Sequence, residues 1–306
     1  VSLRELIVLG TASQAPTRER NHNGYLLRWD DEGILFDPGE GTQRQLIHAG
    51  ISVSAITRVC ITHFHGDHCL GLAGVLQRRS LDGVMHPLDV YFPASGVEYF
   101  ERLRWASIYN DRSPIRAHAV DAEGIVAQTS SLTLAARRLD HRVETFGWRL
   151  VEQTRRHMLP ERLASFGIEG SDIGRLQREG ALTIAGRRVL LDEVSEVRPG
   201  QVFAFIMDTR LCAGAAELAA GADLLVCEAT FLERDADLAR AYAHLTAQQA
   251  ATLAYDAGVR QLVLTHLSQR YGNGDQHAAE ANAVFPGAVV AKDFDRFRLS
   301  TRRVGP

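Results

Sequence analysis

Short apolar runs recur along the chain, each closed by glycine or polar residues. Residues 6–9 (Leu-Ile-Val-Leu) precede Gly10-Thr11-Ala12-Ser13, which predicts a first strand ending in a turn. Residues 25–29 and 34–36 flank Asp30-Asp31-Glu32-Gly33 and predict a hairpin. Further strands are predicted at 59–61, 89–92, 132–136, 146–150, 202–206, 224–227 and 262–264. Helical patterns fall at 43–49, from about His68, at 97–105, and at 246–257, where Ala250, Leu253, Ala254 and Ala257 share one face. Residues 286–297 read as a last hairpin or strand, and Arg302-Arg303 as an exposed tail. Strands followed by helices in both halves predict the α/β class, with sheets and helices in layers.

The polar residues with metal-binding chemistry stand just beyond predicted strand ends. His63-Phe64-His65-Gly66-Asp67-His68 places three imidazoles and one carboxylate within six residues, directly after the run 59–61. Neutral imidazole and carboxylate suit zinc and similar divalent ions. His63 and His65, two apart, lie on no common helical face. Asp67 and His68 are adjacent and should point in different directions. That arrangement favours two neighbouring ions over one. Asp140-His141, Asp208, Glu228 and His266 follow later strands in the same way.

Composition adds bounds. At 306 residues, with 45% hydrophobic and 23% charged, the chain is that of an ordinary globular protein with ample length for a core. No stretch approaches the roughly 20 apolar residues of a membrane span. The first residues are too charged for a signal peptide. Cys60, Cys69, Cys212 and Cys227 form no CxxC pair, which fits a reducing cytoplasm. Cys69 reads as a packing residue. Net charge is −3 and Lys292 is the only lysine. Neither feature selects a partner; arginine suits phosphate contacts, but its use can also reflect genome composition.

The His63–His68 segment resembles the HxHxDH signature of the metallo-β-lactamase fold, and with Thr62 ahead it looks like the ribonuclease Z branch. The resemblance extends from Gly10-Thr11 to Phe294. It implies an αββα sandwich of two mixed sheets flanked by helices, a single domain over residues 1–306, and a cofactor of two zinc ions per subunit. By resemblance His63, His65 and His141 hold one ion, Asp67, His68 and His266 the other, and Asp208 bridges them. Asp37, in Asp37-Pro38-Gly39-Glu40, supports the site from behind. Two such ions about 3.5–4 Å apart share a hydroxide and clamp a phosphodiester. The implied function is endonucleolytic removal of the 3′ trailer from precursor tRNA, leaving a 3′-hydroxyl on the tRNA and a 5′-phosphate on the trailer. Asp67 would orient the attacking water. His244, in His244-Leu245-Thr246, would protonate the leaving oxygen, 5′ or 3′, with Glu228 orienting it. Ser268 and Arg270, in Ser268-Gln269-Arg270-Tyr271, would bind substrate phosphate. Arg270 could instead make a structural ion pair. Met207 stands where the family commonly has glycine, which implies an ordinary backbone angle there.

Residues 151–200 break the alternation. They carry arginine and glycine with little core material, and from Arg149 to Arg188 eight arginines face five acidic residues. The position resembles the protruding arm by which ribonuclease Z grips tRNA, although Gly170-Ser171 replaces the usual Gly-Pro and lysine is missing. Relatives of this length imply a homodimer in which one subunit's arm serves the other's site. The competing reading is a small-molecule phosphodiesterase or arylsulfatase on the same dinuclear scaffold.

Overall fold

The computed structural model describes residues 3–299, so the Arg302-Arg303 tail lies outside the described residues. β1 (Arg4–Gly10), β2 (Gly24–Trp29) and β3 (Glu32–Phe36) form an antiparallel meander, with the predicted hairpin between β2 and β3. After α1 (Thr42–His48) the chain alternates: β4 (Arg58–Cys60), α2 (Gly66–Cys69), α3 (Leu72–Leu81), β5 (Leu88–Pro93), α4 (Val97–Arg104) and β6 (Ile115–Val120). β3 to β6 are parallel neighbours.

The second sheet begins with the antiparallel β7 (Gly124–Gln128), β8 (Leu132–Leu139) and β9 (Thr145–Glu152). A separate unit follows: β10 (Arg155–Met158), α5 (Pro160–Ser165), α6 (Ser171–Glu179), β11 (Ala181–Ile184), β12 (Arg187–Leu190) and β13 (Ser195–Arg198). The chain then returns through β14 (Val202–Ile206), α7 (Ala213–Ala219), β15 (Leu224–Glu228), α8 (Ala236–Tyr242), α9 (Ala247–Asp256), β16 (Leu262–Thr265), α10 (Asp275–Asn282) and β17 (Val289–Val290). β18 (Arg296–Arg298) crosses back to pair with β1. The predicted last hairpin is therefore two short strands in different sheets. The sheet orders are β18-β1-β2-β3-β4-β5-β6 and β17-β16-β15-β14-β9-β8-β7.

Alternation sorts side chains between three apolar layers. Tyr25, Leu27, Trp29 and Phe36 meet Phe146, Trp148, Phe203 and Phe205 between the sheets. The Phe36 and Phe205 rings stack at 4.8 Å. Leu26, Leu35 and Val59 turn outward onto Leu46, Leu72, Val75 and Phe100. Ala204, Ile206, Leu225 and Leu264 turn outward onto Leu218, Leu253 and Ala254. β14 is buried on both faces, so its sequence is continuously apolar. The αββα layering matches the expectation.

The unit at 155–198 has its own core, which corrects the reading of little core material. Leu163, Ile168, Leu176, Leu182, Val189 and Val194 are buried together. Gly170 (φ 53°) and Gly180 (φ 75°) bracket α6 in left-handed conformations that β-carbon-bearing residues disfavour. β10 pairs with β13, Arg155 opposite Arg198, so the unit joins the body through two adjacent chain crossings. Across 155–198 eight arginines face seven acidic residues, and the excess seen over 149–188 nearly vanishes. Arg156, Arg175, Arg187 and Arg198 each pair with an acidic residue of the unit. Among the described residues Arg178 and Arg188 have no ion pair.

Leu176→Ala should cost about 2–5 kcal/mol. That is comparable with all that so small a core supplies. Limited proteolysis should then cut within 155–198 while the far-UV melt of the body stays within a few degrees of the parent. Unchanged protection of the unit would show that its order does not depend on this core.

Candidate metal centre

Six strand ends and one helix link deliver the site. Asp37 follows β3; Thr62, His63 and His65 follow β4; Asp67 and His68 open α2; His141 follows β8. Asp208 follows β14, Glu228 ends β15, His244 joins α8 to α9, and His266 follows β16. All the predicted ligands converge. Asp208 Oδ2 lies 3.5 Å from His63 Nε2 and 3.6 Å from His141 Nε2. His65 Nδ1 is 2.9 Å from His63 Nε2 and 3.4 Å from His141 Nε2. Asp208 Oδ1 faces the second group, 3.5 Å from His68 Nε2 and 3.2 Å from His266 Nε2. Asp67 Oδ2 is 3.3 Å from His68 Nε2 and 3.4 Å from His266 Nε2.

Asp67 and His68 thus aim at one point, against the expectation that they would diverge. His68 is turned by its other nitrogen, since Nδ1 lies 2.8 Å from Asp37 Oδ2. The donor set fits metal. A tetrahedron with bonds of 2.0–2.1 Å has edges of about 3.3–3.4 Å, close to most of these separations. Asp208 Oδ1, fully buried, has no hydrogen bond among the described residues. A buried carboxylate oxygen left so is costly unless a cation satisfies it. Cys69 is buried among Leu72 and Val75 and belongs to neither group, as expected.

Behind the ligands lie two matching relays. His63 Nδ1 is 3.0 Å from Thr62 Oγ1, which donates to Asp37 Oδ2 at 2.7 Å. His266 Nδ1 is 2.7 Å from Thr230 Oγ1, which donates to Glu228 Oε2 at 2.6 Å. Each threonine accepts from an imidazole and donates its own hydroxyl hydrogen bond to a buried carboxylate. This fixes the tautomer that leaves Nε2 for metal. His141 Nδ1 is held the same way by the Ala243 carbonyl at 2.9 Å. Thr62, Thr230 and Ala243 were missed as supports from sequence. The signal for the two threonines was position alone, next to a ligand or two residues beyond a strand-end carboxylate; Ala243 carried none.

Backbone strain concentrates here. Of seven non-glycine residues in the left-handed region among the described residues, four are Asp37 (φ 42°), Asp208 (φ 40°), Ala243 (φ 61°) and His266 (φ 59°). Each costs about 1–3 kcal/mol and persists only where surroundings hold it. Met207 is not among them, so its angle is ordinary, as read; the strain falls one residue later, on the ligand.

Burial, helped by neighbouring cationic imidazoles, pushes His63 well below its usual range, and burial likewise lowers His65 and His141. These three stay neutral, the form that ligates. Burial alone would raise Asp67 and Asp208, but the surrounding histidines outweigh it and hold both ionised. His244 Nδ1 lies 3.0 Å from Glu228 Oε1. Burial lowers the His244 pKa, yet Glu228 and Asp208 outweigh that and lift it to about 9. Glu228 is fully buried and also accepts from the Thr209 amide, so it is well placed to orient His244.

A cavity of about 640 Å³ opens over the ligands. Ser268 and Arg270 line it, and so do Arg142, Tyr242 and Ser13, which sequence reading did not pick out. Arg270 is exposed and makes no ion pair among the described residues, against its structural alternative.

A profile described as the metallo-beta-lactamase superfamily matches residues 17–154. Ribonuclease Z of Nocardia farcinica is 60% identical over 305 residues, 99% of this chain and 100% of the relative. The chain belongs to the ribonuclease Z family. Ribonuclease Z of Streptomyces coelicolor is 57% identical over 99% of this chain and 100% of its own. Ribonuclease Z of Chlamydia caviae is 47% identical over 96% of each. The crystal structure of human tRNase Z, short form, superposes with a TM-score of 0.73 at 25% identity, covering 97% of this chain and 99% of that one. The match to ribonuclease Z spans 155–198 as well as the histidine cluster. With the clustered ligands, it makes this a metal-dependent enzyme.

Proposed function

We propose that this enzyme cuts the 3′ trailer from precursor tRNA at a centre of two zinc ions, leaving a tRNA 3′-hydroxyl and a trailer 5′-phosphate. Its class follows from the family: an endoribonuclease of tRNA 3′ processing that hydrolyses phosphodiesters. The small-molecule alternative is not favoured. The observation that carries the dinuclear reading is Asp208, whose two oxygens face two different ligand groups. His63, His65 and His141 would hold one ion with Oδ2; Asp67, His68 and His266 the other with Oδ1. When bound, such a pair activates water near neutral pH and offsets charge on the phosphate.

The chain's own groups do the rest. Asp67, kept ionised, accepts a hydrogen bond from the attacking water and orients it at phosphorus. The bond that breaks joins phosphorus to the 3′-oxygen of the last retained nucleotide, so that oxygen needs a proton. His244 supplies it, held by Glu228 3.0 Å from its Nδ1. Ser268 and Arg270, at the cavity wall, bind phosphate oxygens.

The unit at 155–198 is the tRNA-binding arm in this reading, inserted in a single domain. β9 starts beside His141 and runs away from the site for eight residues, and β14 returns along it. The arm therefore roots roughly 23 Å from the ligands at strand rise. None of the cavity-lining residues belongs to it. That separation supports a homodimer in which the arm of one copy positions tRNA for the site of the other. Four free cysteines support a cytoplasmic setting, and no helix among the described residues is long and apolar enough to cross a membrane.

End-group analysis of both products from a labelled precursor tRNA tests the chemistry. The expected products carry a 3′-hydroxyl on the tRNA and a 5′-phosphate on the trailer. A 3′-phosphate on the tRNA would contradict the mechanism.

A further inference from the structure

Arg142 and Tyr242 share the cavity wall with His244, and neither has a role in the chemistry above. Arg142 directly follows His141, and Tyr242 stands two residues before His244. Ala243 between them takes the left-handed conformation (φ 61°) and hydrogen-bonds His141 through its carbonyl. That turn sets Tyr242 and His244 against the same cavity and ties both to the ligand beside Arg142. Arg142 Nη2 donates to the Ala241 carbonyl at 2.7 Å, and its Cζ lies 4.9 Å from the Tyr242 ring centroid. Among the described residues no carboxylate pairs with Arg142. Tyr242 is 44% exposed, and its ring lies within 10° of parallel to the buried Phe231 ring, 6.3 Å away.

We propose that Arg142 and Tyr242 form a stacking ledge for the base of the last nucleotide retained on the tRNA. The guanidinium is fixed by a carbonyl at its edge and a ring on one face, which leaves its other face for a planar partner. Bases stack on arginine planes and on tyrosine rings, and such stacking tolerates any base because each has a π-face. The side of the scissile bond follows from the mechanism, on which the proposal rests. The phosphate leaves with the trailer, so the oxygen protonated by His244 belongs to the retained nucleotide. A ledge beside His244 faces that nucleotide's base.

The test is single-turnover cleavage of precursor tRNAs that are intact, abasic at the last retained position, or abasic at the first trailer position. Tyr242→Ala and Arg142→Ala should each lower kcat/KM on the intact substrate by about 5- to 100-fold. The abasic retained position should cost the parent enzyme a similar factor and should hide most of the effect of either substitution. Tyr242→Phe keeps the ring and should behave as the parent. Arg142→Lys should stay impaired, because a point charge offers no plane. Thermal melts within a few degrees of the parent would show that the variants fold. Equal losses on intact and abasic substrates would overturn the proposal, as would masking by the trailer position instead. A 3′-phosphate product from the parent enzyme would overturn the mechanism and, with it, the choice of nucleotide.

Discussion

Asp208→Asn should lower kcat for precursor cleavage by roughly 10³-fold or more while the protein stays folded. Among the described residues Asp208 alone has oxygens that face both ligand groups, so neutralising it should weaken both at once. The choice of asparagine matters. Asp208 adopts φ 40°, where asparagine is tolerated and alanine adds strain. An Asp208→Ala loss could therefore come from backbone distortion, but an Asp208→Asn loss reports the missing charge. Far-UV circular dichroism should match the parent. Activity within tenfold of the parent would show that a bridging carboxylate is not required.

Excising residues 155–198 should lower kcat/KM on precursor tRNA by more than about 100-fold, while hydrolysis of a small phosphodiester stays within about twofold. The boundaries follow from the pairing of β10 with β13, which brings the two crossings side by side; a cut at 155–185 would strand β12 and β13. The body should tolerate the excision because the six core residues of the unit are its own. Net charge would contribute little to a grip on tRNA, since acidic residues offset the arginines of the unit. Unpaired cations such as Arg178 and Arg188 would have to carry phosphate contacts, with the salt dependence that follows. The loss also separates arms acting across a dimer from arms acting within one chain. Chains lacking the arm, mixed with Asp208→Asn chains, should regain cleavage if one subunit's arm serves its partner's site. No regain would place arm and site in the same chain. Undiminished tRNA cleavage by the excised protein would remove the arm from recognition altogether.

Much of this arrangement could be read before folding. The strands at 25–29, 202–206 and 262–264 are short, apolar and closed by polar residues, since their burial leaves no room for alternatives. Every ligand stands just past such a run, so the strand ends pointed at the site. What stayed hidden depends on distant contacts. Thr62 and Thr230 are unremarkable until Asp37 and Glu228 lie behind them. The adjacent Asp67 and His68 converge only because Asp37, from another strand, turns the imidazole. The strain at Asp208, His266 and Ala243 is imposed from outside, and nothing local asks for it. The core of the unit at 155–198 escaped notice because its apolar residues are few and widely spaced, and meet only once α6 packs against the β11–β12 hairpin, where Leu182 and Val189 stand opposite each other. Arg142 and Tyr242 carry no motif, and meet at the cavity only because the turn at Ala243 sets Tyr242 beside the residue that follows His141.

Cleavage should require two metal ions, bridged by Asp208. Metal content measured by mass spectrometry alongside activity, as chelator-stripped enzyme is reloaded with zinc, tests it most directly. Fully active enzyme should hold two equivalents per chain, with activity following the second. Full activity at one equivalent, or cleavage that persists in stripped enzyme, would contradict it.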